Sequence, residues 1–294
     1  MLDVFVLMQA QTWFFLLSVG LISLCIGSFL NVVIYRLPVM LHKQWRAECK
    51  LILSESSAEP DDAQAETFNL ATPSSHCPSC NSKIRFWQNI PLFSWLLLRG
   101  KCAQCHTTIS VRYPLVELGT ALVSLFIANH FGVTPQCLLY LVLTWALIAL
   151  IFIDIDHMLL PDQITLPLLW LLLLASVQGL TIAPKEAIIG AAVGYLSLWS
   201  VYWLFKLATG KEGMGYGDFK LLAIFGALLG WQAILTIVLL SSVVGAVIGS
   251  IQLAVQGKDK STPIPFGPYL AIAGWITMLY GDAIENWYFN LILA

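Results

Sequence analysis

Four cysteines and four aspartates stand in this chain at spacings that can do chemistry. Cys77-Pro-Ser-Cys80 and Cys102-Ala-Gln-Cys105 are two C-x-x-C pairs separated by 21 residues. A two-residue spacer lets both thiolates of a pair point at one ion, and two pairs complete the tetrahedron that Zn2+ takes. The separation lies just beyond the usual zinc-ribbon range. Four thiolates leave no open position for a water, so the expected zinc is structural. It would supply folding energy to a segment too short to bury much core of its own. His76 and His106 flank the pairs as substitute ligands that four cysteines make unnecessary, while Cys25, Cys49 and Cys137 have no partner pattern. The rival arrangement is two disulfides, and the compartment decides between them.

Asp154, Asp156 and Asp162 fall in one connection (FIDIDHMLLPDQIT), and Asp218 falls in another (GMGYGDFK). Asp154 follows directly on an apolar run and Asp218 directly precedes one. Two carboxylates brought together do not both ionise easily, so one holds a proton while the other acts as a base. Such a pair activates water against a peptide carbonyl without a metal. The plainer alternative is a set of loop acids that cap helices or bind Lys220. Gly210, Gly213, Gly215 and Gly217 precede Asp218 within eight residues. Glycines let backbone approach a substrate strand closely. A phosphate-binding reading fails because no Walker lysine pattern is present.

The elements that must position these residues are membrane helices. Apolar residues make up 58% of the chain and charged residues 11%, well below the roughly 25% charge of soluble domains. Charge-free runs occupy 4–35, 118–153, 163–184, 187–205, 221–257 and 261–281. A helix needs about 20 apolar residues to cross the hydrocarbon layer. The runs 118–153 and 221–257 are long enough to cross twice, with breaks at Gly132 and Pro135 and at Gly230-Trp231-Gln232. The expectation is an all-α polytopic protein of about eight transmembrane helices, six if both long runs are single bent helices. Residues 13–35 read as a retained first helix, not a cleaved signal.

Nine of the fifteen Lys and Arg lie between Arg36 and Arg112. Positive charge collects in cytosolic loops, so residues 36–115 read as a cytosolic insert and the N-terminus as periplasmic. With eight alternating helices, 14 basic residues fall inside and only Lys185 outside. The cytosol is reducing, which favours zinc over disulfides. Within the insert, 47–75 is an acidic, solvated excursion and 76–106 the compact cysteine module; residues 116–294 form a seven-helix membrane domain. No nucleic-acid partner is expected.

Gly215-Tyr216-Gly217-Asp218 matches the G-x-G-D signature of intramembrane aspartic peptidases, and Asp154-Ile-Asp156 with Leu160-Pro161-Asp162 resembles the partner motif of the type 4 prepilin peptidases. The resemblance extends to Gly27-Ser28-Phe29-Leu30-Asn31 with Tyr35-Arg36, the cysteine module, Pro91 to Leu98, Arg99-Gly100-Lys101 and Arg112-Tyr113-Pro114-Leu115-Val116-Glu117. It implies a bacterial inner-membrane enzyme that removes the short basic leader of type IV prepilins and type II secretion pseudopilins after a glycine, at the cytosolic face. It further implies methylation of the new N-terminus with S-adenosylmethionine. Carried over, Asp154 and Asp218 are the dyad, and Asp156, Asp162, Gly215 and Gly217 support it. Asp156 is near enough to compete with Asp154, and spacing does not choose between them. Gly100, Lys101 and Glu117 are linked to the methyltransferase half; Lys101 also reads as a membrane anchor and Glu117 as a helix N-terminal acid. The rival from another class is a proton- or cation-coupled transporter that uses intramembrane aspartates.

Overall fold

The computed structural model describes residues 2–53, 68–256 and 264–293. The helices are α1 (Leu2–Ala10), α2 (Thr12–Leu53), α3 (Phe93–Leu97), α4 (Arg112–Phe131), α5 (Pro135–His157), α6 (Asp162–Val177), α7 (Pro184–Thr209), α8 (Tyr216–Leu229), α9 (Gln232–Gln256) and α10 (Gly267–Leu293). Among the described residues the only β pairing is two isolated bridges, His76 with Lys83 and Lys101 with Thr108. Apart from the short α1 and α3, these helices match the eight expected apolar segments. Gly132 caps α4 and Gly230 caps α8, so both long runs do break into two helices.

Among the described residues, five helices, α2, α4, α5, α7 and α9, are long and apolar enough to cross a membrane. With 16 and 14 residues, α6 and α8 reach only about 24 and 21 Å at 1.5 Å per residue, less than a full hydrocarbon layer. The first helix is longer than expected. It continues past residue 35 to Leu53, because 39–53 is composed largely of good helix formers. Its far half carries His42, Lys43, Arg46 and Lys50, and Gln44 donates to Glu48 one turn on (2.9 Å). Most of the acidic excursion, and the loop around Lys258 and Lys260, lie outside the described residues.

The chain forms two compact units, residues 1–149 and 150–294. In the first, α2 and α4 run antiparallel in close contact. A Cβ on Gly27 would meet the Glu117 Cα at 2.8 Å, so only glycine admits this approach. Four residues along, Asn31 Nδ2 donates to the Tyr113 carbonyl (3.2 Å). In the second unit, α8 is the central helix, with α6, α7, α9 and α10 packed against it. Ten of its 14 residues are buried, which a helix so apolar can satisfy only inside a bundle. It crosses α7 backbone to backbone at Gly190 and Gly226, where any added Cβ would strike the partner's carbonyl.

Candidate functional site

Asp154 lies in the last turn of α5 and Asp218 in the first turn of α8. Both belong to the second unit, and both are buried, with 5% and 7% of their surface exposed. Asp218 feels the charge of Asp154 directly, so the two carboxylates share one electrostatic environment. Asp154 Oδ2 and Asp218 Oδ1 are buried and accept no hydrogen bond from the described residues. Buried carboxylate oxygens are rarely left in that condition, and where they are, an explanation in terms of function is called for.

Leu160 holds the pieces together. The backbone of Gly217 lies so close to it that a Cβ there would stand 2.6 Å from Leu160 Cβ. Gly267, at the start of α10, approaches both Leu160 and the Asp154 carboxylate; its hypothetical Cβ would meet Asp154 Oδ2 at 2.6 Å. Three helix ends, those of α5, α8 and α10, therefore converge on the two acids. Gly267 was not among the expected site residues. Its signal was Pro265-Phe266-Gly267-Pro268, a glycine between prolines ahead of an apolar run, which marks a fixed helix start.

The glycine-rich loop before Asp218 is tied back to α7. Lys206 pairs with Glu212 (2.8 Å), and the Tyr216 ring packs on Tyr202 and Phe219 with centroids 5.3 Å away in each case. Gly215 takes the extended N-cap position, and its carbonyl accepts the Asp218 N–H (3.3 Å). Asp156 and Asp162, by contrast, are exposed. Asp162 pairs with Lys220 (2.5 Å), so the plainer alternative of a lysine-binding acid describes this residue. Of the four aspartates, the fold buries Asp154 and Asp218 in one place.

The four cysteines also come together. Cys77, Cys80, Cys102 and Cys105 place their sulfurs within 4.8 Å of one another, and none of the seven cysteines is in a disulfide. Cys77 Sγ and Cys105 Sγ are 3.7 Å apart, which suits the edge of a tetrahedron with metal–sulfur bonds of about 2.3 Å. The two pairs repeat one local structure. The Cys77 carbonyl accepts the Asn81 N–H and the Cys102 carbonyl accepts the His106 N–H, with positive φ at Asn81 and at His106. His106 thus supplies a turn, and His76 bonds to the Ser74 carbonyl; neither is needed as a ligand. Three thiols are held below their ordinary range: Cys80 by the Ser82 hydroxyl, Cys102 by the Cys105 backbone and Cys105 by the Thr107 hydroxyl. Lowered thiols favour the thiolate that a metal requires.

Gly100, Lys101 and Glu117 have separate jobs. Gly100 sits at φ +68° with the Trp95 ring against it. Lys101 is exposed and forms the bridge of the second cysteine pair. Glu117 is buried on α4, and its Oε2 accepts the Leu92 N–H (2.8 Å).

Known proteins resemble this chain over both of its halves. Residues 21–131 match the bacterial peptidase A24 N-terminal domain, and residues 141–250 match the type IV leader peptidase family. Proteins named prepilin leader peptidase/N-methyltransferase are similar over nearly the whole chain. That of Stutzerimonas stutzeri is 56% identical over 274 residues, 93% of each chain. That of Aeromonas salmonicida is 55% identical over 281 residues, 96% of each chain. That of Pseudomonas putida is 52% identical over 271 residues, 92% of each chain. No solved structure matches. With both halves matched in order and identity above one half over more than nine-tenths of these relatives, this multi-helix chain belongs to the type IV leader peptidase family.

Proposed function

We propose that the chain is a two-aspartate endopeptidase of the bacterial inner membrane that removes the leader of type IV prepilins or pseudopilins after a glycine, at the cytosolic face, and then methylates the new N-terminus. The observation that carries the peptidase reading is the burial of Asp154 and Asp218 in one site, each with an oxygen lacking a hydrogen-bond partner. A water held between them would be activated as in soluble two-carboxylate peptidases. The ionised carboxylate takes a proton from the water as its oxygen attacks the scissile carbonyl carbon. The protonated carboxyl donates to the carbonyl oxygen, and the resulting diol collapses with a proton passing to the departing amine. The substrate's apolar helix stays in the bilayer while its leader lies among the loops that carry the dyad.

The cysteine cluster is proposed to hold a structural Zn2+ that stabilises its module and takes no part in hydrolysis. S-adenosylmethionine would supply the electrophilic methyl group for the second reaction. Gly100, Lys101 and Glu117 are the positions proposed to serve that reaction, beside the packing of Trp95 on Gly100 and the bond from Leu92 to Glu117.

The test is cleavage of a purified prepilin in detergent by the wild type and by Asp154→Asn, Asp218→Asn, Asp156→Asn and Asp162→Asn, each checked for zinc content. Loss of roughly a thousandfold or more is expected for the first two. The two exposed positions should stay within a few-fold, because an exposed pair such as Asp162–Lys220 contributes about 1 kcal/mol or less. Full activity in both Asp154→Asn and Asp218→Asn would refute the dyad and assign the hydrolysis to other residues.

A further inference from the structure

The cysteine module presents an apolar face with a basic border. In α3, Phe93, Leu96 and Leu97 stand at i, i+3 and i+4, the spacing of a single helix face. They are exposed by 62%, 63% and 83%. The opposite side of α3 is occupied. Ser94 Oγ donates to the Trp87 carbonyl (2.7 Å) and accepts the Ile90 N–H (3.0 Å). The Trp95 ring covers Gly100, and its Nε1 donates to the Ile109 carbonyl (3.4 Å). The outward apolar face is thus the product of an ordered local structure.

The depth of this face is set by α4. Leu92, immediately before α3, is fixed by its N–H to Glu117 (2.8 Å). Glu117 lies five residues into α4, which is about 7.5 Å along the helix axis from Arg112. The 20 residues of α4 span about 30 Å, one hydrocarbon thickness. A segment anchored at Glu117 therefore lies at the boundary between headgroups and acyl chains, the depth to which interfacial helices sink their apolar faces. Leu92 itself is held at φ +60°, a backbone strain that persists only where the surroundings demand the position.

Charge identifies what covers the face. From Thr67 to Val116 the chain has no Asp or Glu, but it has Lys83, Arg85, Arg99, Lys101 and Arg112. The first four are exposed, and Arg85 stacks over the ring of Trp87 at 5.2 Å, the pairing of aromatic and cation that suits a membrane interface. A basic peptide would be repelled here, and a second copy would set the same basic border against itself. Anionic headgroups attract juxtamembrane basic residues. We propose that Phe93, Leu96 and Leu97 insert into the bilayer as a wedge, with Arg85, Arg99 and their basic neighbours bound to anionic phospholipid, so that the module is a membrane-docked platform. The proposal holds whatever chemistry the aspartates perform.

The test uses the full chain in nanodiscs of mixed phosphatidylglycerol and phosphatidylcholine, with photoreactive benzoylphenylalanine in place of Phe93, Leu97 or Ile52. Ile52 is a fitting control: it is apolar and 75% exposed, but stands on α2 about 24 Å beyond Arg36 at 1.5 Å per residue. Mass spectrometry after illumination should find lipid adducts at positions 93 and 97 and few at 52. The ratio of phosphatidylglycerol to phosphatidylcholine adducts should exceed the ratio of the two lipids in the nanodisc by about fivefold, the expected gain for one basic residue at the surface. It should fall toward the ratio in the nanodisc when Arg85→Gln and Arg99→Gln are combined in protein that retains its metal. Yields at 93 and 97 no higher than at 52, or adducts to protein only, would overturn the wedge. Lipid adducts without enrichment of the anionic lipid would overturn the headgroup assignment.

Discussion

The most direct probe of the proposed dyad's geometry is Gly267→Ala. Gly267 has an ordinary negative φ, so alanine suits its backbone, and the effect of the change is confined to the added methyl group. That methyl would sit 2.6 Å from Asp154 Oδ2 and 3.1 Å from Leu160 Cδ1, where ordinary contact begins at 3.4 Å. The Asp154 carboxylate must then retreat by about 0.8 Å, and a displacement near 1 Å at a reacting group costs on the order of a hundredfold in rate. Overpacking of this kind also destabilises by about 1–3 kcal/mol, so the protein should remain folded at assay temperature. The measurement is kcat for prepilin cleavage under saturating substrate, beside Gly119→Ala, whose methyl would enter open space. Gly119→Ala should match the wild type. A Gly267→Ala enzyme within twofold of wild type, in a series where Asp154→Asn is inactive, would refute the placement of Asp154 against α10.

Two further outcomes follow from the cysteine module and its anchor. Protons compete with the metal for thiolates, so thiols held below their ordinary range keep zinc to lower pH. Ser82→Ala removes the leading cause that lowers Cys80, and Thr107→Ala does the same for Cys105; the midpoint of acid-induced zinc release, followed with a chromogenic chelator, should move to higher pH in each. An unchanged midpoint in both would mean the hydroxyls do not act on the thiolates. Glu117→Ala leaves the Leu92 N–H without its acceptor, a loss of about 1–3 kcal/mol for a buried group. Amide exchange across 86–98 should then quicken by roughly tenfold or more, while Glu117→Gln, which retains an accepting oxygen, should stay near wild type; equal exchange in all three proteins would remove Glu117 from that role.

Much of this molecule was legible because membrane helices and paired cysteine turns are written locally. A charge-free run long enough to cross a bilayer is a property of consecutive residues, and Gly132 and Gly230 mark their own helix ends. The doubled C-x-x-C spacing brings four sulfurs together because each pair closes its own turn, with Asn81 and His106 in equivalent positions. The extent of α2 was not legible, since residues 36–53 change from apolar to charged without ceasing to favour a helix. The choice between Asp154 and Asp156 was beyond sequence as well. They are two residues apart on one helix and so point to different sides, and only the packing around them makes one buried and the other exposed.

Gly267 shows the same division most clearly. It lies 113 positions from Asp154, and local pattern revealed only that a helix begins there. Sequence by itself determined the membrane helices, the sulfur cluster, the family resemblance and the short list of acids, since each depends on residues near one another in the chain. Tertiary structure decided which acids are buried together, that Leu160 joins three helix ends beside them, and that α3 turns its apolar face outward. Those outcomes depend on long-range packing, in which the missing Cβ of one residue makes room for the carboxylate of another.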